Sequence, residues 1–304
     1  MRDLTQVTKA LAERAEHYDR TASFPADSIA AIHDAGLLTA MTMFAHATQG
    51  IEPTWPDDVY TGAVAEAAQR PVLINALRVE PELGTPARGG LPATVASPAG
   101  GRWSLSGHKI FSTGAEGLRW MVVWARVGET QEAAGFLVRS DSAGISIERT
   151  WDHLGLRASR SDDVVFAGTP AVPTVGSGGG PLFLAWNSLG LTSLYLGVAA
   201  AARDWLVSFL TERSPASLGR PLATLPRLQA AVGEIDASLG TAVALLDAMA
   251  ARVDNGDAIA IAQAPLVKLT GTRAAIDAVS QAVALVGNNG LTRRNPLERH
   301  LRDW

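Results

Sequence analysis

The residues best suited to chemistry lie in the stretch Leu105–Ala115, which reads LSGHKIFSTGA. Phe111, Ser112 and Thr113 set an aromatic face beside two small hydroxyls, and Gly114 breaks the run. Such a set suits a flat heterocycle: the ring packs on the aromatic face, and the hydroxyls and backbone N–H groups meet its polar edge. A half-buried strand closed by a glycine turn would carry the same residues. His33 and His46 have no partners at ligand spacing, and the chain has no cysteine, so no metal site is expected. Glu80 and Glu82 stand in a loop with Pro81 and Pro86, where a structural role outweighs that of a base.

Three kinds of sequence must position these residues. The first 70 residues read as helices: Val7–His17, Ile29–Leu38 after Pro25, Asp27 and Ser28, and Val59–Gln69, which Asp57 and Asp58 could cap. Met41 and Met43 read as core filler between them. Residues 71–172 read as strands separated by Gly, Asp and Ser turns. The strands expected are Pro71–Val79, Leu91–Ser97, Trp103–Leu105, Trp120–Val127, Gly135–Arg139, Ile145–Arg149 and Val164–Phe166. That spacing predicts an antiparallel barrel or sandwich. The glycine-rich stretch Gly176–Gly180 is a connector and a weak phosphate-loop candidate. Residues 181–304 then read as a bundle of long antiparallel helices. One runs from Pro181 to about Glu212. The next starts at Pro226, with Leu228, Val232, Ile235, Leu239, Val243, Leu246 and Met249 at spacings of three and four. The last runs from about Ile259 to Val286. The fold class expected is α+β, in three domains: helical 1–70, β 71–172, helical bundle 181–304.

Composition bounds what such a chain does. Its 304 residues are 47% hydrophobic and 18% charged, which fits a well-packed globular protein and argues against disorder. A net charge of −4 offers no global basic field for nucleic acid or an anionic membrane. The opening MRDLTQVTKALAERAEHYDR is charged and lacks the apolar core of a signal peptide, and polar and small residues interrupt the apolar run Leu182–Ala202. The expectation is a soluble, cytoplasmic protein.

The order of elements and five motifs resemble the acyl-CoA dehydrogenase superfamily. Val79-Glu-Pro-Glu-Leu-Gly-Thr85 is similar to the family's flavin loop, and Gly107–Thr113 to its Gly-x-Lys-x-Trp-Ile-Thr segment. Gly155–Phe166 resembles its Gly-Met-Arg strand pair, and Thr211-Glu-Arg213 the end of its first bundle helix. Gly287-Asn-Asn-Gly290, with Pro296–Asp303, resembles its terminal segment. The resemblance implies FAD between the β domain and the bundle, in a homo-oligomer (a tetramer or dimer), with an electron-transfer partner possible. Val79, Gly84 and Thr85 would sit on the flavin loop. Phe111 would pack on the isoalloxazine where the family usually has Trp, with Ser112 beside it, and Thr113 would bond the ring's polar edge. Arg213 would reach the diphosphate of a neighbouring subunit's FAD, and Val286, Gly287 and Asn288 would line the same cofactor. A helix C-cap explains Arg213 and Gly287 equally. Val79 replaces a hydroxyl residue and Ala284 a glutamine, changes that imply altered FAD binding.

The catalytic base is where the chain departs from the family. Oxidation at Cα–Cβ of an acyl thioester needs a carboxylate to take the α-proton. The resemblance puts that Glu either past the terminal Arg-Asp segment or early on the first bundle helix, near Asn187. The acids on that helix, Asp204 and Glu212, lie several turns further on. The join at Leu38–Met41 is also shorter than in the family. Three functions follow: an FAD-dependent oxidoreductase on the CH–CH group of an acyl thioester; a reduced-flavin monooxygenase of the same fold, with His108 or Asn187 as hydrogen-bond donors; or a silent, non-redox member.

Overall fold

The computed structural model describes residues 4–38, 55–83, 90–175 and 180–303. The chain divides into two compact units, one ending at residue 178 and one beginning at residue 179. The expectations for Met41, Met43, His46, Gly84, Thr85 and the connector at 176–179 fall outside the described residues.

The first unit holds helices α1 (Leu4–Thr21), α2 (Ala26–Asp34) and α3 (Asp57–Ala67), followed by seven strands. Pro56 occupies the N-cap of α3, so Asp57 and Asp58 lie inside its first turn. There they complement the helix dipole instead of capping N–H groups, which corrects the capping expected of them. The strands are β1 (Leu73–Leu77), β2 (Val95–Ala99), β3 (Arg102–Lys109), β4 (Leu118–Val127), β5 (Ala133–Arg139), β6 (Ile145–Glu148) and β7 (Asp163–Pro173). The order β4-β2-β3-β7-β5, with β5 pairing back to β4, closes a barrel; β1 also pairs with β4, and β6 with β7.

Most neighbours run antiparallel, as expected, but β4 pairs parallel with both β1 and β2. These partners are distant in sequence, so alternation alone could not reveal their direction. Leu105, Met121, Val123, Phe136, Val138, Val164 and Phe166 fill the barrel. Strand β5 is a continuous apolar run because both its faces are covered. Phe136 and Val138 point into the barrel, while Leu137 packs outside with Trp120 and with Ala63 and Ala67 of α3.

The second unit is a bundle of α4 (Pro181–Glu212), α5 (Pro226–Asp254) and α6 (Ala258–Val286), with the short α7 (Leu297–Arg302). A proline in the first turn starts both α4 and α5. Asp257 caps α6, its side chain accepting from the N–H groups of Ile259 and Ala260. Leu206 and Leu210 of α4 share one apolar cluster with Leu228 and Ile235 of α5 and with Ala282 and Val286 of α6. Ala185 and Leu189 share another with Met249, Val253, Ala260 and Ala264. Hence α4 and α6 run in the same direction and α5 runs against them. The two outer helices approach closely at Gly271, where a Cβ would overlap the methyl of Thr192. By length and composition α4 could cross a membrane, a property it shares with core helices of soluble bundles; a third of its most apolar window is buried.

Candidate functional site

A stretch of chain from Ile110 to Ala115 leaves the end of β3 and is stitched to two other loops. On one side the Ile110 N–H donates to the Val79 carbonyl at 3.0 Å. On the other, the Ser112 N–H donates to the Asp162 carbonyl (3.1 Å) and the Gly114 N–H to the Ser159 carbonyl (2.8 Å). Asn75 of β1 adds a bond from its side-chain amide to the Thr113 carbonyl, 3.0 Å. Val79, distant in sequence, is thereby brought to the stretch that carries Phe111, Ser112 and Thr113. Arg213, Val286, Gly287 and Asn288 belong to the second unit.

Beneath the stretch lies a buried ion pair. Lys109 Nζ donates to Glu80 Oε1 at 2.6 Å and to the Trp124 carbonyl at 2.6 Å. The Glu80 carboxylate also accepts from the N–H groups of Ala93 and Thr94. The side chains are 0% and 2% exposed. Burial opposes ionising the Glu80 carboxyl, yet its bonds to Lys109 and Thr94 prevail and hold it below its ordinary value. Burial also pulls the Lys109 ammonium down, and Glu80 offsets part of that. Glu80 is therefore an anchor and not a base, as its loop context predicted.

Phe111 takes a left-handed backbone (φ 55) and is 51% exposed. Its ring lies edge-on to Trp151 and to His153. Thr113 Oγ1 meets Ser161 Oγ at 2.9 Å, and Ser161 meets Ser159 Oγ at 2.8 Å. A hydroxyl both donates and accepts, so Thr113 can take a bond from Ser161 and give its own proton outward. Ser112 is different: its side chain is buried, and its hydroxyl has no partner among the described residues.

Asp162 organises the loop that carries Trp151. Its carboxylate is fully buried and accepts from the N–H groups of Thr150 and Trp151, both at 3.0 Å, and from Arg160 at 2.9 Å. Sequence reasoning did not single out Asp162, Ser161, Trp151 or His153. The signal was the Ser-Asp-Asp run after Gly155, whose first acid, Asp162, is buried. His108, considered above as a hydrogen-bond donor, is paired with an acid of β7. Its Nε2 lies 2.8 Å from Asp163 of β7, and Asp163 in turn accepts from the Thr150 hydroxyl.

In the bundle, Arg213 sits at the C-cap of α4, and its exposed side chain has no hydrogen bond or ion pair among the described residues. Gly287 caps α6 with φ 57 and ψ −133, and the space where a Cβ would stand is open. Because α4 and α6 are parallel, Arg213 and Gly287–Asn288 fall at the same end of the bundle. On α4, Asn187 is exposed, Asp204 is bonded to Arg203 and Glu212 accepts from Ser208.

Models of the middle and C-terminal domains of acyl-CoA dehydrogenases match residues 78–169 and 189–304. YdbM of Bacillus subtilis (strain 168), a candidate acyl-CoA dehydrogenase, is 31% identical over 100% of this chain and 90% of its own length. The mitochondrial short-chain specific acyl-CoA dehydrogenase of Bos taurus is 31% identical over 73% of this chain, but the match spans only 56% of that protein. In structure, FMN-bound TdsC from Paenibacillus sp. A11-2 superposes with a TM-score of 0.84 at 20% identity, covering 98% of this chain and 90% of that one, a likeness of fold alone. The chain belongs to the acyl-CoA dehydrogenase family, whose members are flavin-dependent.

Proposed function

We propose that this protein is an FAD-dependent oxidoreductase acting on the CH–CH group of an acyl thioester. The observation that carries the reading is the stitching of Val79 to Ile110. It sets the exposed Phe111 and the outward-capable hydroxyl of Thr113 on one rigid frame. These residues fit a flat ring, and the unpartnered buried hydroxyl of Ser112 adds a polar group to the same stretch. Bound flavin would supply two-electron chemistry. Phe111 would pack against that ring, and the Thr113 hydroxyl would donate to its polar edge, where it would favour the reduced, more negative form. Arg213, whose guanidinium has no partner among the described residues, would pair with a diphosphate, and the open backbone at Gly287 would admit the cofactor's close approach. The same reading carries a cytoplasmic homo-oligomer and an electron-transfer protein that reoxidises the flavin.

A second reading is favoured by one observation. The first five turns of α4 hold no carboxylate, and Asn187, at the position nearest the expected base, cannot accept the α-proton. Reduced-flavin monooxygenation needs no such base, and the structural neighbour TdsC is described as a dibenzothiophene monooxygenase. The test begins without oxygen, which is admitted only for the monooxygenase assay. Protein that binds FAD and bleaches with butyryl-CoA supports the first reading. Protein that stays yellow with acyl-CoA, yet consumes oxygen and oxygenates a substrate when given reduced flavin, supports the second. Protein that takes up no flavin excludes both.

A further inference from the structure

Four non-glycine residues with positive φ occur among the described residues: Ala22 (49), Phe111 (55), Leu156 (50) and Arg160 (44). All four converge on one place. Arg160 donates to the Ala22 carbonyl at 3.3 Å, and Trp151 Nε1 donates to the Leu156 carbonyl at 2.9 Å. Arg160 and Trp151 are both bonded to the Asp162 carboxylate, and the Trp151 ring meets Phe111. Left-handed backbone is uncommon for residues with side chains, and it gathers where a ligand is held.

The rings there form a corner. Trp151 and His153 stack with centroids 3.7 Å apart and planes 17° apart. Phe111 stands at 82° to both, with centroids 6.2 and 5.9 Å away. The Trp151 backbone N–H donates to Asp162 and its indole Nε1–H to the Leu156 carbonyl, so both main chain and ring are held in place. It is also wet: Phe111 is 51% and the neighbouring Leu154 76% exposed. A preorganised aromatic corner left in water is a binding platform, because burying such rings yields much free energy and little ordering cost remains.

We propose that the Trp151–His153 stack is a second wall of the flavin ring site, at right angles to Phe111 and against the edge of the isoalloxazine. The proposal rests on the flavin reading given above. Neither residue belongs to the cofactor contacts that the family resemblance implies. The phenyl ring of Phe111 cannot donate an electron to an excited flavin, whereas an indole in contact can, which quenches the flavin's emission.

The experiment uses the full chain, titrated with FAD and followed by flavin emission and visible absorption. The variants are Trp151→Phe, Trp151→Ala, His153→Ala and, as a control in the barrel core, Trp103→Phe. Urea midpoints establish that each is folded. Trp151→Phe, which keeps an aromatic ring, should bind FAD with nearly unchanged affinity while the emission of bound flavin rises several-fold. Trp151→Ala should bind about fivefold more weakly, the worth of one aromatic pair. His153→Ala should shift the visible bands, and Trp103→Phe should change nothing. If wild type binds FAD and both emission and absorption are indifferent to Trp151 and His153, the second wall is refuted while the flavin site stands. If wild type binds no flavin, the flavin reading itself fails and this proposal falls with it. Should Trp151→Ala prove unfolded, Trp151→Phe and His153→Ala still decide.

Discussion

Lys109 and Glu80 meet at 2.6 Å in a place water does not reach, and they join the end of β3 to the loop that follows Val79. The pair is what keeps the two halves of the barrel-side site in register. Replacing Lys109 with Met leaves a buried carboxylate supported only by backbone N–H groups and should cost about 3–5 kcal/mol of stability. Pairing that change with Glu80→Gln should recover a large part. Urea unfolding of the single and double variants measures both.

The close approach of α4 and α6 makes a second prediction. Gly271→Ala should destabilise the bundle by about 1–3 kcal/mol, because the added methyl overlaps the Thr192 methyl. Adding Thr192→Ser removes that methyl, keeps the hydroxyl that bonds the Ser188 carbonyl, and should restore most of the loss. Thermal melts of the two variants check this.

His300 on α7 gives the fold a pH dependence. Burial first, then the neighbouring Arg299, push its pKa down to about 4, with Glu298 opposing. The unfolded chain therefore binds a proton at a higher pH than the folded one. The resulting stability is fully present above about pH 6.5 and is lost as the pH falls towards about 4, amounting to roughly 2–3 kcal/mol. Denaturant midpoints measured between pH 7.5 and pH 4 should fall, and His300→Phe should flatten that part of the fall.

The cap of α6 makes the last prediction. At φ 57 and ψ −133, Gly287 occupies a region closed to other residues, yet a Cβ there touches nothing. Gly287→Ala should therefore cost about 1–3 kcal/mol through backbone strain alone. It should weaken FAD binding by more than that strain explains, if the cofactor lies against this backbone. A denaturation curve and an FAD titration of the same variant separate the two effects.

The long helices were legible because spacings of three and four, opening prolines and closing glycines are local signals. Expected ends at Glu212 and Val286 coincide with the observed ones. The strands were found in order, although β3 runs four residues past Leu105 and β7 seven past Phe166, where neighbouring strands extend pairing beyond the apolar run. What the sequence hid was pairing at a distance. Glu80 meets Lys109 across 29 residues, and Phe111 meets a ring 40 residues on; neither is written in any local period. Nothing local marked Asp162, because burial of a carboxylate depends on donors supplied from elsewhere.

Phe24, between the first two helices, presses its ring where Gly117 lacks a side chain, and it also lies close to Gly114. The N-terminal segment is thus a wedge seated behind the loop that displays Phe111. A chain trimmed past that phenylalanine would retain every strand and yet lose the backing that keeps its aromatic face in place.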